Sequence, residues 1–130
     1  MTTTRKFRSE QGQTATEFAL VLPILALLLF AVIQFGIVFN HYVTLTDATR
    51  AGARKAAVGR QTSDPVGAAV AETRASAKDL TQNALNVSVD STWQRGGDVT
   101  VSASYPYSIS LLGMVVKSGR LTSSTTERVE

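Results

Sequence analysis

Phe18-Ala19-Leu20-Val21-Leu22-Pro23-Ile24-Leu25-Ala26-Leu27-Leu28-Leu29-Phe30-Ala31-Val32-Ile33-Gln34-Phe35-Gly36-Ile37-Val38-Phe39 is a run of 22 residues without a charge, and Gln34 is its only polar side chain. As an α-helix it spans about 33 Å, enough to cross a hydrocarbon core of about 30 Å. We read it as a membrane-spanning helix. A cleaved secretory signal fits less well, because its apolar region should be about 7–15 residues long and end at an A-x-A site. Ala51-Gly52-Ala53 has the letters of such a site but lies well past the run, inside a charged helical pattern. A buried core helix also fits less well, because the rest of the chain is too short to wrap it on every side.

Working outward, the charges set an orientation. Arg5, Lys6 and Arg8 precede the run closely, and no Lys or Arg follows it until Arg50. The positive-inside rule puts the N-terminus in the cytoplasm and the C-terminal body across the membrane. The expected location is the cytoplasmic (inner) membrane, with one pass. The 130 residues carry 13 Lys+Arg and 10 Asp+Glu, a net charge of +3, and much of the surplus sits in this short leader. The body is close to neutral, which argues against a nucleic-acid partner, since that needs a basic face along the phosphates. The absence of cysteine excludes disulfide scaffolds, zinc ribbons and thiol chemistry, and the single histidine excludes histidine-rich metal sites.

The boundary before the run is Arg8-Ser9-Glu10-Gln11-Gly12-Gln13-Thr14-Ala15-Thr16-Glu17-Phe18. A basic leader ends in glycine, four small or polar residues follow, then a carboxylate stands at the lip of the span. An acidic residue costs about 2.5–3.5 kcal/mol at the bilayer midplane and less near the interface, so Glu17 is either solvated among headgroups or paired for a function. These residues resemble the processing site of type IV pilin-like precursors. Within that superfamily the stretch Gly12 to Pro23 and the Ala/Arg-rich stretch Ala48 to Arg54 resemble the TadE-like pseudopilins of tight-adherence (Flp) pilus systems. The resemblance is strong over residues 8–60. It implies cleavage by a membrane-embedded aspartyl prepilin peptidase between Gly12 and Gln13, and a role for Glu17, beside Phe18, in processing or in docking on a neighbouring subunit. Gln13, where major type IV pilins usually carry Phe, favours the Tad-type pseudopilins. The implied partners are the lipid bilayer, the prepilin peptidase, other pilin-like subunits and the pilus assembly machinery.

The physical chemistry is compatible with that implication. Gly12 lets the backbone extend into a protease cleft. A cut there frees an α-amino group with a pKa of about 8. Glu17 lies four residues beyond the new terminus, about 6 Å along a helix. The amine of the same chain or of a neighbour can then neutralise Glu17 in a medium of low dielectric.

Beyond Phe39 the helical pattern continues through Tyr42, Leu45, Ala48, Thr49, Gly52, Ala53 and Ala56, at steps of three and four. One helix from about Thr14 to Val58 is expected, roughly 65 Å long, with Pro23 kinking or loosening its first turns. Its small residues suit close approach by another backbone, either the chain's own domain or a second subunit. Gly59 ends it. Ser63 or Asp64 caps a second helix with Pro65 in its first turn, burying Val66, Ala69, Val70, Thr73, Ala77 and Leu80. The period then changes to two. Leu85, Val87, Val89, Ser91 and Trp93 form one strand face, and Val99, Val101, Ala103 and Tyr105 a second, with Gly96-Gly97 between them. Pro106 ends or edges the second strand. Ile109 to Val116 reads as a core-packing connection, and Arg120 to Glu130 as a third strand at an edge.

The expected fold is α+β: a long N-terminal transmembrane helix continuing into a small domain with a short second helix and an antiparallel sheet of about three strands, a pilin-like lollipop. Residues 1–12 are a leader, 13–58 the helix with its transmembrane segment at 18–39, and 59–130 an extracytoplasmic domain. Neither Gly52-Ala53-Arg54 nor Gly96-Gly97 has the spacing of a phosphate loop. His41 lacks a nucleophile and an orienting partner, so it reads with Tyr42 as an interfacial side chain. No catalytic, cofactor or metal site and no small-molecule substrate is expected. Two functions remain: a minor pseudopilin that takes part in building a pilus, and an unprocessed single-pass anchor whose outer domain binds a partner.

Overall fold

In a computed structural model describing residues 6–130, the first helix is the longest element and the rest of the chain is arranged on its C-terminal third. Arg5 of the basic leader lies outside the described residues, as do the side chains of Lys6 and Arg8. Helix α1 runs Lys6–Val58, starting before the expected Thr14. Nothing between Lys6 and Thr14 stops a helix: there is no proline, and the lone Gly12 weakens the helix by about 1 kcal/mol relative to alanine without breaking it. Pro23 sits inside α1. Its ring nitrogen has no hydrogen to donate to the Ala19 carbonyl one turn back.

The N-terminal part of α1 touches almost nothing else in the chain. Every residue from Phe18 to Leu25 is exposed, two full turns that take in every side of the helix. No residue of the most apolar 18-residue stretch is buried. A helix that is apolar all round must be buried by something, and the length and composition of this one suit a lipid bilayer. Among the described residues this is the one helix long and apolar enough to cross a membrane.

Past the span, α1 becomes one-sided. Leu45, Ala48, Thr49, Gly52, Ala53, Ala56 and Ala57 are buried, whereas Asp47, Arg50 and Arg54 face outward. Gly59 closes the helix, its N–H donating to the Ala56 carbonyl at 3.0 Å. Helix α2, Pro65–Ser76, follows. Asp64 is its cap, accepting from the Gly67 N–H at 2.8 Å, with Pro65 as the first helical residue. Ala69 and Thr73 are buried on its inner face, and Ala77 and Leu80 carry that stripe past the helix end; Val66 is exposed and Val70 half-buried.

Strands β1 (Asn86–Ser91), β2 (Asp98–Leu111) and β3 (Met114–Arg128) form one antiparallel sheet in the order β1-β2-β3. Directly opposed residues share a face. Val87 faces Ala103 and Val89 faces Val101, while Val101 faces Thr125 and Ala103 faces Ser123. This inner face packs on α1 in two clusters. One joins Ala53, Ala56, Ala57, Ala69, Val99, Val101 and Val129, with Trp93 half-buried against them. The other joins Leu45, Ala48, Ala77, Leu80, Leu85 and Ala103, with Tyr105 and Leu121 at its margin.

Two expectations for the second half of the sheet need correction. Pro106 does not end β2, which runs on to Leu111. Pro106 faces Arg120 in β3 and lies past the last pair with β1, Asn86–Ser104, where one side of β2 is open. Proline is tolerated at such an edge. The segment Ile109 to Val116 is not a core-packing connection either. It is the end of a long β2–β3 hairpin, with a register shift between Ile109 and Ser110 and a two-residue turn at Leu112-Gly113. Its apolar residues suggested burial, but Leu112, Met114, Val115 and Val116 are exposed and Ile109 and Leu111 only half-buried.

Candidate functional site

The site singled out by the sequence lies in the first turns of α1, where it has no tertiary support. The Gln13 Nε2 donates to Glu17 Oε1 at 3.1 Å, one helical turn apart. The Thr16 hydroxyl donates back to the Gly12 carbonyl at 2.9 Å, and the Thr14 hydroxyl to the Glu10 carbonyl at 3.0 Å. Glu17 is exposed, and Phe18 beyond it opens the bare apolar surface. A β-carbon at Gly12 would meet nothing within 4 Å. The glycine is therefore not required by packing, and its effect here is to weaken the helix locally.

Of the two residues flanking the expected cut, Gln13 thus stands one turn before Glu17, and Gly12 one turn before Thr16. In the uncut helix the Glu17 carboxylate takes its described hydrogen bond from the Gln13 side chain rather than from an amine. The Gly12 carbonyl is engaged by the Thr16 hydroxyl. A protease acting at Gly12–Gln13 has to unwind this turn, because a peptide carbonyl inside a helix already accepts a backbone hydrogen bond.

At the membrane exit, His41 is half-buried and stands edge-on to Tyr105, with ring centroids 5.4 Å apart and planes at 79°. Tyr42 is exposed beside it, and Phe35 stacks on Phe39 at 6.4 Å. His41 therefore joins the helix to the sheet. Among the described residues no group of three or more His, Asp or Glu stands close enough to hold a metal ion.

Farther along, the small-residue face of α1 meets its partner, and one further feature escaped the sequence reading. Gly52 is where α2 crosses α1: a β-carbon there would collide with the Thr73 hydroxyl and press on the Ala69 carbonyl. The small residues of α1 thus receive the chain's own second helix and sheet. Between α1 and β3 lies a set of hydroxyls, with Thr49 Oγ1 3.0 Å from Thr125 Oγ1 and 3.3 Å from Ser123 Oγ, which also reaches Thr46 Oγ1 at 3.3 Å. The steps Thr46/Thr49 on a helix and Ser123/Thr125 on a strand held the clue, but only the register joins them.

No curated protein and no solved structure matches the chain. A family model does match, beginning at the boundary glycine and ending in the packed part of α1, so that it covers the span and leaves the sheet outside. The family is one of pilus-associated membrane proteins. The resemblance read from the boundary motif is thus borne out over the helix that carries it: residues 12–54 match the family described as TadE-like protein.

Proposed function

We propose that the chain is a minor pseudopilin, a structural assembly component of a tight-adherence pilus. In this reading it inserts with its N-terminus in the cytoplasm, is cut after Gly12 by a prepilin peptidase, and then associates with other pilin-like subunits through its span. The observation that carries the reading is the motif Gly12 to Phe18 at the head of an uncovered apolar helix that continues without a break into a packed stem. Hydrolysis of the Gly12–Gln13 peptide bond leaves a carboxylate on Gly12 and turns the backbone nitrogen of Gln13 into an α-ammonium group one turn from Glu17, whose carboxylate gains a cationic partner as the helix enters its assembly.

The test is the N-terminal residue of the protein purified from its native membrane. A mature chain starting at Gln13 is expected, together with an uncut, membrane-bound precursor when Gly12 is replaced by a bulky residue. The alternative is an anchor that is never cut, and the helical hydrogen bonding through Gly12 favours it. A native N-terminus upstream of Gly12 would establish that alternative and remove the pseudopilin reading.

A further inference from the structure

The β2–β3 hairpin extends well past β1 and carries an apolar tip that none of the described residues covers. Leu112 is 76% exposed, Met114 70%, Val115 65% and Val116 63%. We propose that this tip inserts into the outer face of the bilayer that α1 spans, as a second membrane contact.

Direction is the first argument. Val99 and Val101 pack near Ala53, Ala56 and Ala57; Ala103 packs near Leu45 and Ala48; Tyr105 meets His41. As β2 advances six residues, about 20 Å, its contacts on α1 retreat from Ala57 to His41, about 24 Å. The strand and the helix therefore lie with nearly aligned axes and opposite chain directions, and β2 heads back along α1 toward its apolar span. From Tyr105 to Leu111 is a further six residues, about 20 Å. A tip continuing in that direction passes the level of Phe39 and enters the layer occupied by Phe18–Phe39. Sheet twist reduces the depth but not the sense of approach. On the α1 face that continues from Leu45 and Ala48, Gln34, Val38 and His41 are half-buried while most neighbouring positions are exposed.

The second argument is the distribution of apolar groups. A strand that docks on a protein partner needs one apolar face and shows a period of two. Here Leu111 pairs with Met114 on one face, Val115 pairs with Ser110 on the other, and Leu112 forms the turn. Both faces and the end are apolar, which suits a medium surrounding the tip rather than a surface on one side. Above the tip come Lys117, Ser118 and Arg120, all exposed, with Tyr105 and Tyr107 on the paired strand. An apolar end below a band of cations and tyrosines is the profile of a segment seated at acyl-chain and headgroup levels.

The turn supplies a third. Leu112 and Gly113 both have positive φ, 51° and 83°, the primed turn that prefers Asn-Gly. A branched residue in the left-handed region is strained. Leu112 makes no burial inside the chain to offset that strain, and immersion in lipid provides it.

The chain has no cysteine, so single labels are straightforward. Full-length protein carrying Met114→Cys or Val116→Cys, labelled with an environment-sensitive fluorophore, is reconstituted into phosphatidylethanolamine–phosphatidylglycerol vesicles. Gln61→Cys, at the far end of α1, is the aqueous control. Quenching is read with iodide and with a lipid bearing a nitroxide near the headgroup end of its acyl chain. The expected result is several-fold weaker iodide quenching at 114 and 116 than at 61, with strong lipid quenching at 114 and 116 alone. Adding Leu112→Asp should restore iodide access at 114. Equal iodide quenching at all three positions would overturn the proposal. So would protection from both quenchers, which would mean that a protein, a second copy included, covers the tip. Neither result bears on cleavage after Gly12.

Discussion

Glu17 and Gly52 show how much depends on single side chains on one helix. Glu17 opens a span without charges, and its described partner is the neutral amide of Gln13. If a freed α-amine becomes its partner in the assembled state, Glu17→Gln preserves size and hydrogen bonding but removes the counter-charge. Insertion should survive, since a neutral side chain is easier to place in lipid. Breaking a buried charge pair costs about 3–5 kcal/mol, and a decade of affinity is about 1.4 kcal/mol. Co-purification with pilin-like subunits should therefore fall at least about tenfold; wild-type recovery would return Glu17 to a solvated interfacial carboxylate. Gly52 is simpler. In Gly52→Ala the added carbon meets the buried Thr73 hydroxyl and the Ala69 carbonyl, an overpacking that costs about 1–3 kcal/mol. Thermal unfolding of the full chain in detergent should show that loss, and an unchanged midpoint would mean that α2 moves aside freely.

Among the elements, the hairpin and the second helix respond differently to their sequences. Helix α2 follows local rules: a capping Asp64, Pro65 at its first position, and small residues inward. The β2–β3 hairpin departs from local rules at its turn, where Leu112 stands in the left-handed region. Leu112→Asn places there a residue that tolerates this backbone. It should stabilise the hairpin by about 1 kcal/mol, read as a raised unfolding midpoint in detergent. The same substitution should weaken lipid quenching at position 114 in vesicles. Opposite signs in the two measurements would separate a turn kept for its membrane contact from one that is merely suboptimal. A lower midpoint would mean that the leucine side chain stabilises the fold directly.

At the scale of the molecule, α1 spans one environment and organises another. Its first part is apolar on all sides, and its last part presents a narrow face of small residues to a sheet and a short helix. We expect the sheet to lie outside the cytoplasm, because Arg5, Lys6 and Arg8 precede the span and the next cation is Arg50. A reporter fused after Glu130 should be active only on the far side of the membrane. Cytoplasmic activity of an intact fusion would reject both this orientation and the pseudopilin reading. The Glu130 N–H donates to the Ala57 carbonyl at 3.0 Å and Val129 is buried, so the fusion needs a flexible linker.

Several features were legible in the sequence because they depend on neighbours along the chain. The span, the stop at Gly59, the Asp64 cap and the alternation of Val87, Val89, Val99 and Val101 follow from periodicity and from the backbone preferences of single residues. The boundary motif belongs to the same class, since Gly12 and Glu17 share one stretch of helix. Tertiary structure alone decided what depends on residues distant in sequence: α2 crossing at Gly52, the hydroxyls of Thr46 and Thr49 meeting Ser123 and Thr125, and the edge-on contact of Tyr105 with His41. It also decided the fate of Ile109 to Val116. An apolar stretch declares that it avoids water, but not what shields it. Whether it turns inward or reaches outward is set by the register of β2 on β3 and by where the sheet sits on α1, and here both carry it away from the core.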